Sequence, residues 1–289
     1  MIGQEAQRAA FGQAASAGRL HHAWLLAGQR GMGKRGFADW AAQLLLGEDA
    51  AALIRAGSHP DLRVLEPDLE GRATRTIAVE DVRALAPMLR GHPAMGQRRV
   101  VILDAADDLN RQAANALLKL LEEPGPGTHF LLVSHAPGRL LPTIRSRCRT
   151  LRFPPLADAT IERLLASEQP DMTQERREAL VRLARGSPGE ALRLAQGPAV
   201  ALLDALAAQH PERLAQGLQA AAQAEQFQLL CDLAPRLLAD AARQAPSPAL
   251  VELQAEMASL AASAVPLALD RAPVAFTLAR ALATARSAT

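Results

Sequence analysis

Residues 28–35 read Gly28-Gln29-Arg30-Gly31-Met32-Gly33-Lys34-Arg35. An apolar run, His22-Ala23-Trp24-Leu25-Leu26-Ala27, precedes them, and an alanine- and leucine-rich stretch with helical spacing follows. Strand, glycine turn and helix in that order are the setting in which a GxxxxGK sequence cradles a nucleotide phosphate. Glycines let the backbone curl so that several N–H groups converge, and the helix N-terminus adds partial positive charge. In this reading Gly28, Gly31 and Gly33 shape the loop and Lys34 reaches the β- and γ-phosphates. The next position ordinarily carries the Ser or Thr hydroxyl that binds Mg²⁺, and here it is Arg35. Taken alone, the same residues also describe a plain strand-to-helix turn.

A second stretch bears on that choice. Arg99-Val100-Val101-Ile102-Leu103-Asp104 describes a buried parallel strand with a carboxylate at its C-terminal edge, where open α/β sheets bind ligands. Asp104 is suited to hold Mg²⁺ beside a P-loop nucleotide. Active ATPases of the AAA+ type follow this acid with a Glu that orients the attacking water. Ala105 follows here, and a methyl group orients no water.

The remaining pattern is α/β to about residue 154 and all-helical beyond. A helix is expected within 1–20, closed by Gly18. Another follows the glycine turn to Leu46, with a short helical stretch at 48–56. Strands are expected at Leu62–Leu65, His129–Ser134 and Leu151–Phe153. Ile77–Val82 is read as entering a helix that runs to about Leu89, and Asn110–Glu123 as an amphipathic helix closed by Pro124-Gly125-Pro126-Gly127. His59 beside Asp61 is read as a proline-containing turn with local hydrogen bonds, in preference to a pair of metal ligands. Pro154-Pro155 marks a domain boundary. In the helical part, breaks are expected at His210-Pro211, Pro246-Ser247-Pro248, Pro266 and Pro273.

Bulk properties set the outer limits. The 289 residues suffice for two or three domains, and 49% hydrophobic content with a formal net charge of +2 describes a folded chain. Any nucleic-acid surface is therefore a local patch. Aromatic content of 3% without tyrosine argues against recognition of bases by stacking. Cys148 and Cys231 are far apart and form neither a disulfide framework nor a four-cysteine zinc site. The start, Met-Ile-Gly-Gln-Glu, carries no signal peptide pattern, so a cytoplasmic location without membrane partners is expected.

Two further motifs make the pattern specific: Ala114-Asn115-Ala116-Leu117-Leu118-Lys119 with Leu121-Glu122-Glu123-Pro124, and Ser146-Arg147-Cys148. Together with Gly31-Met32-Gly33-Lys34 and His59-Pro60-Asp61 they resemble bacterial clamp loaders of the AAA+ class. The resemblance covers roughly residues 1–200 by motif and the last third by architecture. It implies a RecA-like AAA+ P-loop core with a parallel sheet over 1–154, a small helical lid over 155–200 and an all-α collar over 201–289. It implies a hetero-pentameric ring with delta and gamma/tau subunits, which loads a sliding clamp onto primed DNA. The Arg of the SRC motif, here Arg147, then acts as an arginine finger in a neighbouring subunit's ATP site, where a guanidinium stabilises charge on the transferring phosphoryl. On spacing alone, Arg145, Arg147, Arg149 and Arg152 are better read as a solvated basic surface or one that touches DNA backbone.

Where hydrolysing relatives place a lid arginine, this chain has Gly189, with Glu190 beside it. With Arg35 and Ala105 this is a third missing part. ATP or ADP is therefore expected to bind without hydrolysis, with Arg35 meeting a phosphate in place of the metal. Structural zinc is expected to be absent, because Gly47–Gly57 holds no cysteine where many relatives carry a zinc module. Three alternatives stay open: a gamma/tau-like motor subunit, a DNA-binding or interaction module without a nucleotide role, and a nucleotide switch of another AAA+ line.

Overall fold

A computed structural model of the chain describes residues 2–67, 76–196, 199 and 224–287. The chain divides into two compact units, Met1–Leu156 and Ala157–Thr289.

The first unit is built on five parallel strands: β1 (Ala23–Ala27), β2 (Leu62–Leu65), β3 (Arg99–Asp104), β4 (Thr128–Ser134) and β5 (Arg149–Arg152). Their order across the sheet is β2-β3-β4-β1-β5, so β3 and β4 lie between the sequence neighbours β1 and β2. Parallel strands need crossovers, and helices cover both faces. These are α1 (Glu5–Ser16), α2 (Lys34–Leu46), α3 (Ala51–Arg55), α4 (Val79–Arg83), α5 (Ala86–Arg90), α6 (Arg111–Glu122) and α7 (Pro142–Ser146).

Strand residues alternate between two cores, as the two-residue period of a strand requires. Leu25, Val101, Leu103, Phe130 and Leu132 pack on one side with Val82, Leu89, Leu117 and Leu121 of α4, α5 and α6. Trp24, Leu26, Val100, Ile102, Leu131 and Val133 pack on the other with Phe11 of α1 and Phe37 and Ala41 of α2. The second face gathers Phe11, Trp24, Phe37, Trp40 and Phe153 at centroid distances of 5.1–6.1 Å. Five of the chain's eight aromatic residues (six Phe, two Trp) thus serve one core. Few remain for contacts with other molecules.

Three expectations need correction. The helix read from Ile77 to Leu89 is two short helices, α4 and α5, with Ile77 bridging Leu109 before them. Pro87 lacks the N–H that would continue the ladder from Arg83, so the first helix ends at that point. The last strand is Arg149–Arg152 and not Leu151–Phe153, because its register is set by β1, with Trp24 opposite Arg149 and Ala27 opposite Arg152. Pro273 does not break a helix; it lies in the first turn of one, where a missing N–H costs no hydrogen bond.

The second unit, among the described residues, is helical: α8 (Asp158–Glu168), α9 (Gln174–Ala184), α10 (Pro188–Leu194), α11 (Ala224–Gln244), α12 (Pro248–Ala264) and α13 (Arg271–Ser287). Ser187 and Ser247 cap α10 and α12 through their side chains. Interruptions fall at Pro246–Pro248 and around Pro266. The proposed lid–collar boundary at 200/201 and the break at His210-Pro211 lie outside the described residues.

Candidate functional site

The C-terminal edge of the sheet assembles the residues that the spacing of the chain could only suggest. Ala27 ends β1 opposite Ser134, which ends β4, and Asp104 ends β3 opposite Val133. The glycine loop leaves β1 at this edge and enters α2. Two of its glycines are required sterically. A Cβ on Gly28 would lie 2.4 Å from the Phe153 carbonyl oxygen, and one on Gly33, at φ +74°, would lie 2.3 Å from Gln4 Nε2. Gln4 is buried and donates to the Met32 carbonyl at 2.5 Å, which ties the chain's start to the loop.

Lys34 is also buried, at 2% exposure, with its ammonium donating to the carbonyls of Gly28 at 2.6 Å and Gln29 at 2.7 Å. Burial pulls its pKa down from 10.5 to about 8, against the opposing influence of Asp107 and Asp104. It remains a cation at neutral pH, held inside its own loop.

Arg35 accounts for the acid across the edge. Its Nε donates to Asp39 at 3.0 Å, and its Nη1 lies 3.5 Å from Asp104 Oδ2 and bonds Glu66 as well. The guanidinium is thus shared among three carboxylates. One of them is Asp104, at the C-terminal end of β3. Arg35 meets these acids because α2 and β3 place Asp39 and Asp104 within its reach.

Two neighbours, Asp107 and His135, were not singled out from the chain. Asp107, in the turn after β3, accepts from Ser134 Oγ at 2.8 Å and from the His135 backbone N–H at 2.5 Å. His135 follows β4, and its Nδ1 is buried without a hydrogen-bond partner. Burial first, then the Lys34 and Arg30 charges, hold its pKa below the ordinary 6.5. A lone acid or histidine beside a strand end carries no periodic signal, and its relation to the loop exists only once the strands are ordered.

Arg147 does not join this cluster. It follows α7, where its Nη1 donates to the Thr143 carbonyl at 3.1 Å and its Nη2 to Glu122 Oε1 at 2.5 Å. Nearby, Arg149 stacks over the Trp24 ring at 5.0 Å. The His59-Pro60-Asp61 turn is structural: His59 Nδ1 accepts from the Asp61 N–H, and Asp61 accepts from the N–H groups of Ala94 and Met95 beside the buried Arg99. Glu190 is occupied by Arg193 at 2.9 Å and Arg236 at 2.5 Å, and these cations hold its pKa down against burial. Among the described residues no group of three or more His, Cys, Asp and Glu side chains is arranged to hold a metal ion. No helix there is long and apolar enough to cross a membrane.

Sheet order, glycine loop and edge carboxylate define a P-loop α/β protein of the AAA+ type. The family described as DNA polymerase III, delta subunit, is matched over residues 3–157. DNA polymerase III subunit delta' of Pseudomonas aeruginosa is 45% identical over 200 residues, covering 65% of this chain and 60% of that protein. The Escherichia coli K12 subunit delta' is 38% identical over 192 residues, covering 63% and 56%. The chain belongs to this delta-prime family. The matches span less than two thirds of these relatives' own length. A crystal structure of a gamma subunit-related protein from Thermotoga maritima aligns over 96% of this chain and 98% of its own, with a TM-score of 0.51 and 18% identity, and speaks to the fold alone.

Proposed function

We propose that the chain is a clamp loader subunit that does not hydrolyse ATP itself and lends Arg147 to the ATP site of an adjacent subunit. In this reading it assembles with delta and gamma/tau subunits in a hetero-pentameric ring that loads the sliding clamp onto primed DNA. The observation that carries the reading is the Arg35 guanidinium against Asp104. Hydrolysis at a P-loop needs a metal held by a hydroxyl and an acid. Here the hydroxyl is replaced and the acid is neutralised by the replacing residue. The glycine loop and Lys34 remain, so nucleotide is bound, if the Lys34 contacts yield to phosphate, without turnover.

A gamma/tau-like motor needs a hydroxyl at 35 and a Glu at 105, and the chain carries Arg35 and Ala105. A DNA-binding module acting alone predicts tight binding that weakens steeply with salt.

The test is steady-state ATP hydrolysis by the isolated chain and by the reconstituted clamp loader, with wild-type protein and with Arg147→Ala, assembly being verified in each. The isolated chain should be inactive. Loss of a finger costs about 10³–10⁵ in rate at a single site, and for a ring in which each loading cycle needs every site to turn over a fall of roughly tenfold or more is expected. An unchanged rate in the Arg147→Ala assembly sinks the role in trans, and brisk hydrolysis by the isolated chain sinks the reading of Arg35.

A further inference from the structure

Glu122 occupies a position that its own helix does not favour. It is the last residue of α6, where the carbonyl ends of the helix carry partial negative charge and a carboxylate is disfavoured. What it meets instead is Arg147, with Nη2 at 2.5 Å from Oε1. The second guanidinium contact, Nη1 to the Thr143 carbonyl at 3.1 Å, comes from α7. Arg147 is therefore gripped from two elements, and both grips leave it partly accessible, with 36% of its side chain exposed.

The end of α6 is itself anchored. His22, immediately before β1, bonds the Leu121 carbonyl through Nε2 at 3.0 Å, one residue before Glu122. The carboxylate thus sits on a helix end fixed to the central sheet, and it fixes the arginine in turn. A guanidinium has five N–H donors in a rigid fork. Two are used by Glu122 and Thr143, and three remain for an incoming phosphate.

We infer that Glu122 is a positioning residue for Arg147: it orients the guanidinium before the neighbouring nucleotide arrives and so raises turnover in the adjacent subunit. This rests on the finger reading of Arg147. The opposing effect is that a carboxylate near a phosphoryl group repels it. Between exposed groups that repulsion is screened by water and salt, whereas an unheld arginine must lose its rotamer freedom each time it docks. Orientation outweighs repulsion, and removal of the acid slows the reaction.

The experiment is the DNA-stimulated ATPase of the reconstituted clamp loader carrying wild-type chain, Glu122→Ala, Glu122→Gln, Arg147→Ala, or Glu122→Ala with Arg147→Ala. Exposed pairs of this kind have modest effects, so Glu122→Ala should lower kcat about two- to fivefold. KM for ATP and assembly should be unchanged. Glu122→Gln keeps an acceptor but loses the charge, and should fall between wild type and Glu122→Ala. In the Arg147→Ala background, removing Glu122 should do nothing more. A Glu122→Ala rate equal to or above wild type, alongside a slow Arg147→Ala assembly, overturns the positioning role and leaves the finger standing. Equal losses with and without Arg147 also overturn it, since Glu122 would then act through the fold. A normal rate for Arg147→Ala overturns the finger reading itself.

Discussion

Lys34 shows how burial alters a residue whose type suggests simple charge. Its ammonium is enclosed by two carbonyls of its own loop, with Asp104 and Asp107 contributing favourable charge from nearby. Burial still dominates and lowers the folded pKa to about 8, against an ordinary 10.5. The direction of the resulting pH dependence follows from proton counting. Below about pH 8 both folded and unfolded chains carry the proton. Between that value and 10.5 the unfolded chain holds more protons, so stability rises with pH across this window. Against a Lys34→Met variant, the wild-type unfolding free energy should be flat in relative value below pH 8 and climb toward pH 10.5. Paired denaturant titrations across this range would show it. A flat difference throughout would mean that the ammonium is not desolvated.

The elements owe their limits to a few side chains. Asn110 accepts from the Ala113 N–H at 2.7 Å and caps α6, the helix that carries the NALLK sequence and ends at Glu122. Replacing it by alanine leaves one of the helix's first N–H groups unpaired and should cost about 1 kcal/mol. Thermal unfolding of Asn110→Ala would measure this, and a shift near zero would show that water replaces the cap without loss. Short elements were legible where chemistry is local. The strand at Leu62–Leu65 and the stop at Pro124 follow from alternation and a ring that cannot donate. The strand at Arg149–Arg152 starts two residues and ends one residue before the apolar reading, since its partner β1 chooses the register.

At the scale of the whole molecule, each unit has its own means of cohesion. The first is held by the two apolar faces of one sheet. The second adds ion pairs between distant helices: Glu190 of α10 with Arg236 of α11, and Arg182 of α9 with Asp240 of α11. Glu190 is a half-buried acceptor shared by two arginines, so its removal leaves both cations without their carboxylate. Glu190→Ala should raise amide exchange in 188–194 and in α11, with a local cost of about 1–3 kcal/mol. Exchange in β1 and β4 should stay as in wild type. Accelerated exchange throughout both units would mean that the pair supports more than its own unit.

The order of elements, the glycine loop and the absence of a hydroxyl at 35 were written in the chain itself, because strand periodicity, glycine geometry and residue type are local properties. So were the NALLK, LEEP and SRC motifs that point to the family. Only the tertiary structure decided what the irregular residues do. Residue type marks Arg35 as a cation, and β3 brings Asp104 to it. Asp107 and His135 had no pattern to mark them, yet the ordering of β4 beside β1 sets them beside Lys34. Glu122 and Arg147 stand 25 residues apart and meet only where α6 and α7 form a corner. Contacts of this kind depend on which strands are neighbours. That choice is made by long-range packing, which no window of sequence contains.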